Sequence, residues 1–243
     1  MMKQQYATWL LIALFCISKP VSAMPTDSLD WDNVTPDRAT LLRKLQALPC
    51  GIRAADSKAT VLQKIEVYLA GYRPDPAFPE DTYAKAAVEQ ALRGAKTGGY
   101  GIGAVLVDTK GKIIHGAYNE QLQTGRSDLH AEMALLTQFE TLPQFRKYQT
   151  KGNFTGEGNT IYTEQLTLYT SAEPCPMCFI RVAIVGVETR YVTTGPDDGM
   201  NARASCLPPF WYQLSQKHKV LAARSAPVLQ RMAHCLFYSF LLD

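Results

Sequence analysis

The chain has 243 residues, of which 47% are hydrophobic and 19% are charged, and its formal net charge is +3. This composition is typical of globular proteins and excludes collagen-like, low-complexity and wholly disordered chains. The length is sufficient for a packed core without disulfide bonds, and the small net charge gives no indication of a strongly nucleic-acid-binding surface.

The first residues have the pattern of a secretory signal peptide. Lys3 supplies a positive charge, residues 9–17 are an unbroken apolar run, and Ala23 ends a group of small residues suited to cleavage. The apolar run is too short to cross a bilayer, and a buried N-terminal helix is the alternative interpretation. We therefore predict that residues 1–23 are removed by cleavage near Ala23, and that the protein is exported without a membrane segment.

Removal of the predicted signal peptide changes the charge and the cysteine count. Two lysines and no acidic residues are lost, so 23 basic residues remain against 22 acidic ones and the net charge becomes +1. Five of the six cysteines remain, and an odd number leaves at least one thiol free or bound to a metal. Among Cys50, Cys206 and Cys235 one disulfide bond can form, with a pairing that the sequence leaves open.

The next region, residues 24–79, is predicted to be a helical extension followed by a linker. Thr35 and Pro36 have the residue types of a helix N-cap and of a first helical position. Apolar residues then recur at helical spacing as far as Gly71, and three prolines follow in residues 72–79. The sequence of this region holds no cluster of polar groups suited to catalysis.

Residues 80–243 are predicted to form an α/β domain. Helical patterns cover residues 80–96, 128–142, 176–187, 207–216 and 226–240, and strand patterns cover residues 102–107, 112–118, 165–170, 190–194 and 220–222. Helices alternate with strands, which favours a layered α/β sheet. Residues 143–165 are a polar connection without periodicity, and connections of this length are commonly functional or mobile.

Two short motifs contain residue types that bind metals. His130 stands two residues before Glu132, and Cys175 stands three residues before Cys178. Imidazole and thiolate ligands suit zinc, and the cysteine spacing places both sulfurs on one face at the start of a helix. Pro176 suits the first helical position, and the helix dipole favours a thiolate there. A redox pair or a local disulfide is the alternative for the two cysteines.

The spacing of His130 and Glu132 restricts where their helix begins. Residues two apart in a helix point to nearly opposite sides, so both side chains reach one site only if His130 lies at or before the N-cap. Three ligands without a fourth are typical of a catalytic zinc, which activates a water molecule near neutral pH. Glu132 is then the candidate proton shuttle, and a solvated carboxylate at a helix start is the alternative.

The two motifs, His-x-Glu and Pro-Cys-x-x-Cys, together resemble the signature of the zinc-dependent cytidine/deoxycytidylate deaminase superfamily. The resemblance covers residues 80–240, and its motifs are most similar to those of guanine deaminases and tRNA adenosine deaminases. It implies a three-layer α/β/α cytidine deaminase-like fold with a central mixed five-stranded sheet, here with an N-terminal helical extension. Members are commonly dimers, so we expect a homodimer. The signal peptide, the extension and the 143–165 insertion depart from the family pattern.

The resemblance also implies residue roles and a reaction. The matched zinc ligands, for one ion per chain, are His130, Cys175 and Cys178. Glu132 matches the general acid/base, Asn119 matches an asparagine that contacts the substrate, and the backbone N–H of Ala131 matches a further substrate contact. For Asn119 the alternative is a turn residue at the end of a strand. The reaction implied is hydrolytic deamination, in which hydroxide adds to the carbon bearing the amino group, Glu132 moves protons and ammonia leaves.

Three functions remain open from the sequence. The first is deamination of a nucleobase, nucleoside or related small amino-heterocycle. The second is tRNA or RNA adenosine deamination, which the net charge of +1 and the export signal disfavour because such an enzyme is expected to have a basic face. The third is a secreted binding or effector protein in which zinc only stabilises the fold. We therefore expect a small-molecule substrate rather than a nucleic acid polymer.

Overall fold

A computed structural model describes residues 36–148, 165–194, 199, 208–218 and 220–243. The predicted signal peptide, Cys206 and most of the 143–165 insertion lie outside the described residues. The described α-helices are α1 Arg38–Gln46, α2 Lys58–Gly71, α3 Asp81–Lys96, α4 Gln121–Thr124, α5 Ala131–Glu140, α6 Pro176–Val185, α7 Pro209–Lys217 and α8 Pro227–Phe237. The described strands are β1 Gly103–Asp108, β2 Ile113–Tyr118, β3 Leu166–Ala172, β4 Glu188–Thr193 and β5 Val220–Ala222. Short 3-10 helices cover Pro143–Lys147 and Tyr238–Leu242.

The five strands form one mixed sheet in the order β2-β1-β3-β4-β5. Strand β1 pairs antiparallel with both β2 and β3, whereas β3 pairs parallel with β4 and β4 pairs parallel with β5. In this arrangement Thr170 of β3 lies opposite Ala104 of β1 and Tyr191 of β4. The mixed five-stranded sheet predicted from the sequence is confirmed.

Side chains of the central strands alternate between two hydrophobic cores. Val105 and Tyr169 belong to the first core, which lies under helices α1, α2, α3 and α8. Leu106 and Leu168 belong to the second core, which lies under helices α5 and α6. Because successive side chains of a strand point to opposite faces, the two cores lie on opposite sides of the sheet. The three-layer α/β/α arrangement is therefore confirmed.

The helices of the predicted extension pack into the first core. Leu41 of α1 and Leu69 of α2 are almost completely buried in the same cluster as Val88 of α3 and Leu229 of α8. The predicted division after residue 79 stays a prediction, because helices on both sides of it share this core. Among the described helices, none is both long enough and apolar enough to cross a membrane.

Asp81, at the start of α3, connects the linker to the last α-helix. Its side chain is 1% exposed and accepts hydrogen bonds from the Tyr72 hydroxyl at 2.7 Å, the Asp75 N–H at 2.9 Å and the Ala226 N–H at 2.7 Å. The adjacent Glu80 carboxylate accepts a bond from the Arg224 N–H at 2.6 Å. Two consecutive acidic residues thus hold the chain before α3 and the chain before α8 together.

Several helix boundaries differ from those predicted. The N-cap of α1 is Asp37 rather than Thr35, and its carboxylate accepts a hydrogen bond from the Thr40 N–H at 2.7 Å. Aspartate is at least as good an N-cap residue as threonine, so the helix begins two residues later than predicted. Helix α5 begins at Ala131 instead of residue 128, and α8 ends at Phe237, where a 3-10 helix replaces the predicted last turn. The short helix α4 was not predicted.

Candidate active site

Two helix N-termini meet at the candidate site. His130 is the N-cap residue of α5 and Cys175 is the N-cap residue of α6. Both have extended backbone conformations, and neither side chain caps its own helix. Pro176 occupies the first turn of α6, as its residue type predicts. The expectation that His130 lies at or before the N-cap, drawn from the His-x-Glu spacing, is confirmed.

Three potential metal ligands come together where these helices begin. The Sγ atom of Cys175 lies 3.6 Å from Nδ1 of His130, and the ligand atoms of His130, Cys175 and Cys178 all lie within 4.8 Å of one another. Tetrahedral zinc bonds of about 2.3 Å to sulfur and 2.0–2.1 Å to nitrogen place those two ligand atoms about 3.6 Å apart. The donor types and their separation therefore fit zinc.

The pKa values of the two cysteines are shifted in opposite directions. Cys178 is buried, and its thiol shares a hydrogen bond with the sulfur of Cys175. This hydrogen bond lowers the pKa of Cys175 to about 4 and raises the pKa of Cys178. A hydrogen bond from His130 lowers the pKa of Cys175 further. A thiolate, rather than a thiol, is the form that binds a metal, so the lowered pKa of Cys175 favours its ligating form.

Glu132 lies in the first turn of α5, beside the three potential ligands. Its side chain is 3% exposed, and its Oε1 accepts a hydrogen bond from the Thr170 hydroxyl at 2.8 Å. Burial raises the pKa of the Glu132 carboxyl, and the hydrogen bond from Thr170 acts in the opposite direction. The environment therefore makes proton uptake by this carboxyl easier than in water.

Asn119 and Ala131 are both fully buried. The Asn119 side chain accepts a hydrogen bond from the Gln121 N–H at 3.1 Å and donates one to Oε1 of Gln121 at 2.8 Å. This is the turn arrangement named as the alternative for Asn119, although an amide retains one more N–H and one more lone pair for a substrate. Ala131 is the first residue of α5, where a backbone N–H has no partner within the helix. The substrate-binding roles of both residues stay predictions.

Thr170 is the site residue that the sequence interpretation missed. It follows Leu166 and Leu168 on the face of β3 that enters the second core, and it is fully buried. A hydroxyl that replaces a leucine at the end of an apolar face was the signal available in the sequence.

Of the cysteines considered for a disulfide, Cys50 and Cys235 are free in the structure and Cys206 lies outside the described residues.

A comparison with protein-family models identifies the region that carries this site. Residues 79–194 match the model of the cytidine and deoxycytidylate deaminase zinc-binding region. The match covers 116 of the 243 residues, a little under half of the chain. The matched zinc-binding region includes both metal motifs, so the predicted zinc cofactor is confirmed, and His130, Cys175 and Cys178 can hold the ion.

Individual relatives of this zinc-binding region are named for several substrates. A tRNA-specific adenosine deaminase of Bacillus subtilis is 34% identical over 109 residues, which are 45% of this chain and 58% of the relative. A cytosine deaminase of Candida albicans is 26% identical over 109 residues, which are 45% of this chain and 62% of the relative. The chain thus spans about three fifths of the length of these two curated relatives. A solved guanine deaminase from Nitrosomonas europaea is 18% identical, with a TM-score of 0.48 over 82% of this chain and 98% of the other.

Proposed function

We propose that the protein is a zinc-dependent hydrolytic deaminase of a nucleobase, nucleoside or related amino-heterocycle. The observation that carries the proposal is the buried Glu132 carboxyl beside a group of three ligands, His130, Cys175 and Cys178. A structural zinc is normally closed by four protein ligands, whereas three leave a position for water. A proton-accepting carboxyl next to that position is what hydrolysis needs and what a purely structural site does not need.

The chemistry divides between the ion and the chain. When bound, zinc supplies Lewis-acid activation of a water molecule near neutral pH. Glu132 takes a proton from the attacking water as its oxygen forms a bond to the carbon that bears the amino group. Glu132 gives this proton to the ring nitrogen, then takes a second proton from the hydroxyl now bonded to the carbon and gives it to the leaving amino group. The carbon–nitrogen bond breaks, and ammonia and a carbonyl product result. Asn119 and the Ala131 N–H orient the ring.

A small substrate is favoured over a nucleic acid by charge. The predicted mature chain has a net charge of +1, and Arg126, in the loop that leads to His130, is paired with Asp128 at 2.7 Å. A phosphate-binding face needs cationic side chains that are available to the phosphates. The 34% identity to a tRNA-specific adenosine deaminase favours RNA adenosine deamination as the second candidate.

Ammonia release from a panel of substrates tests the proposal. The zinc-loaded full chain is assayed with cytosine, guanine, adenine, their nucleosides and intact tRNA. We expect at least one small compound to be deaminated, and we expect Glu132→Ala to lower kcat by about 10²- to 10⁴-fold with unchanged zinc content. Glu140→Ala, at the other end of α5, is the matched control and is expected to keep the wild-type rate.

The outcomes of this assay separate the candidate functions. Conversion of tRNA alone would support the second candidate in place of the first. An inactive wild type with a full zinc complement, or a Glu132→Ala variant as fast as the wild type, would contradict deamination and support the binding or effector protein.

We also propose that the chain is exported and forms a homodimer. The support for export is the signal-peptide pattern of residues 1–23, and the support for a dimer is the resemblance to a superfamily whose members are commonly dimers. Sequencing the N-terminus of the secreted or periplasmic protein is expected to begin at Met24. Sedimentation of the zinc-loaded protein is expected to give twice the mass of the mature chain.

A further inference from the structure

We infer that Thr170 is a positioning residue that holds the Glu132 carboxyl in one orientation for proton transfer. The inference rests on the deaminase function proposed above. It assigns a part in that reaction to a residue on β3 that lies outside both metal motifs.

The first support is the contact between two buried polar groups. The Thr170 side chain is 0% exposed, and its Oγ1 donates to Oε1 of Glu132 at 2.8 Å. A buried hydroxyl and a buried carboxyl each destabilise a protein unless they find a hydrogen-bond partner. Hydrogen bonds to an ionised acceptor are roughly twice as strong as neutral ones, so this contact favours one conformation of Glu132.

The second support is the rigid position of the donor. Thr170 lies on the central strand of the sheet, between Ala104 of β1 and Tyr191 of β4. A β-branched side chain has few accessible χ1 rotamers, so the strand backbone sets the direction of the hydroxyl. Glu132, in contrast, has a long side chain with three rotatable torsions. The stiff residue therefore orients the flexible one.

The contact also distinguishes the two oxygens of the carboxyl. Thr170 donates to Oε1, and the Glu132 N–H and Cys178 also contribute hydrogen bonds to this carboxyl. We assign to Oε2 the transfer of the proton that comes from water. Oε1 remains a hydrogen-bond acceptor whether or not Oε2 carries a proton. The Thr170 bond therefore persists through the proton-transfer cycle, and Glu132 does not need to be reoriented between the two transfers.

The neighbouring residue provides a matched control for a merely structural role. Ser171 is also buried, and its hydroxyl accepts a hydrogen bond from the Gly103 N–H at 3.0 Å. Successive side chains of a strand point to opposite faces, so Ser171 points away from Glu132. Both residues thus bury one bonded hydroxyl on β3, and only one of them contacts the proposed proton carrier.

The test compares Thr170→Val, Thr170→Ser and Ser171→Ala in the zinc-loaded full chain. Thr170→Val is expected to lower kcat about 10- to 100-fold with KM changed less than about twofold, because proton transfer depends steeply on orientation. Thr170→Ser keeps the hydroxyl and is expected to restore kcat to within about threefold of the wild type. Ser171→Ala is expected to lower Tm while kcat stays unchanged, and all variants should hold one zinc ion per chain.

A crystal structure of zinc-loaded Thr170→Val gives a readout that does not depend on activity. We expect Glu132 to occupy more than one rotamer in that structure. Should the valine variant fail to fold, Thr170→Ala removes the same hydroxyl and is expected to show the same loss of kcat.

Three results would overturn the inference while leaving the deaminase function intact. They are an unchanged kcat in both variants that lack the hydroxyl, a serine variant as slow as the valine variant, and an equal loss of kcat in Ser171→Ala. A zinc-loaded wild type that deaminates no compound in the panel overturns the proposed function, and this inference fails with it.

Discussion

Replacing Asp81 with asparagine tests whether the contacts before α3 and α8 determine the stability of the protein. One oxygen of Asp81 accepts from the Tyr72 hydroxyl and the Asp75 N–H, and the other accepts from the Ala226 N–H. Asparagine replaces one of these oxygens with an NH₂ group, which cannot accept a hydrogen bond. In either orientation of the amide, at least one backbone N–H then faces another donor.

The size of this effect follows from the hydrogen bonds that are lost. A buried donor left without a partner costs about 1–3 kcal/mol, and the cost lies toward the upper end of this range when the lost partner is charged. We therefore expect Asp81→Asn to lower the free energy of unfolding by about 3 kcal/mol. For a chain of this size, that loss corresponds to a decrease in Tm of about 6–12 °C.

Thermal and urea unfolding of the full chain, followed by circular dichroism, provide the measurement. Tyr72→Phe removes only one of the three bonds and is the matched control, with an expected loss of about 1 kcal/mol. Zinc content is expected to be unchanged, since Asp81 lies beside the first core and not among the ligands. A Tm for Asp81→Asn within about 2 °C of the wild-type value would refute the reasoning.

Three further predictions concern packing, metal binding and substrate binding. Gly103→Ala places a Cβ 2.2 Å from the backbone nitrogen of Ala91 in α3, so Tm is expected to fall by several degrees, and an unchanged Tm would contradict this close approach. Cys178→Ser removes one thiolate ligand, so zinc measured by atomic absorption is expected to fall well below one ion per chain; full retention would exclude Cys178 as a ligand. Asn119→Ala is expected to raise KM about tenfold or more with little change in zinc content, whereas an unchanged KM would leave Asn119 with the turn role alone.

The metal site could be predicted from the sequence because its determinants are local. The spacing of Cys175 and Cys178 and the proline between them specify a helix start with both sulfurs on one face. The two-residue separation of His130 and Glu132 requires His130 at or before the N-cap, and the structure places it at the N-cap. Local spacing of this kind depends on helix geometry alone, whereas the meeting of His130 with Cys175, 45 positions away, depends on the fold and was implied by the family resemblance.

The features that were missed depend on contacts between distant parts of the chain. Thr170 and Glu132 are 38 positions apart in the sequence. They make contact only because β3 passes under the first turn of α5. Asp81 accepts a bond from Ala226, which is 145 positions away. The choice of Asp37 over Thr35 as N-cap is a different kind of error, because two adequate capping residues competed within three positions.

The alternation of β1 between the two cores has a consequence for how the protein unfolds. Val105 and Leu106 are adjacent in the chain, yet they belong to opposite helical layers. Exposing either residue to solvent displaces the strand that also supports the other, so neither layer can be lost while the other remains intact. We therefore expect one cooperative transition in which α1 and α2 melt together with the metal site, and amide hydrogen exchange in both layers slowed to a common rate.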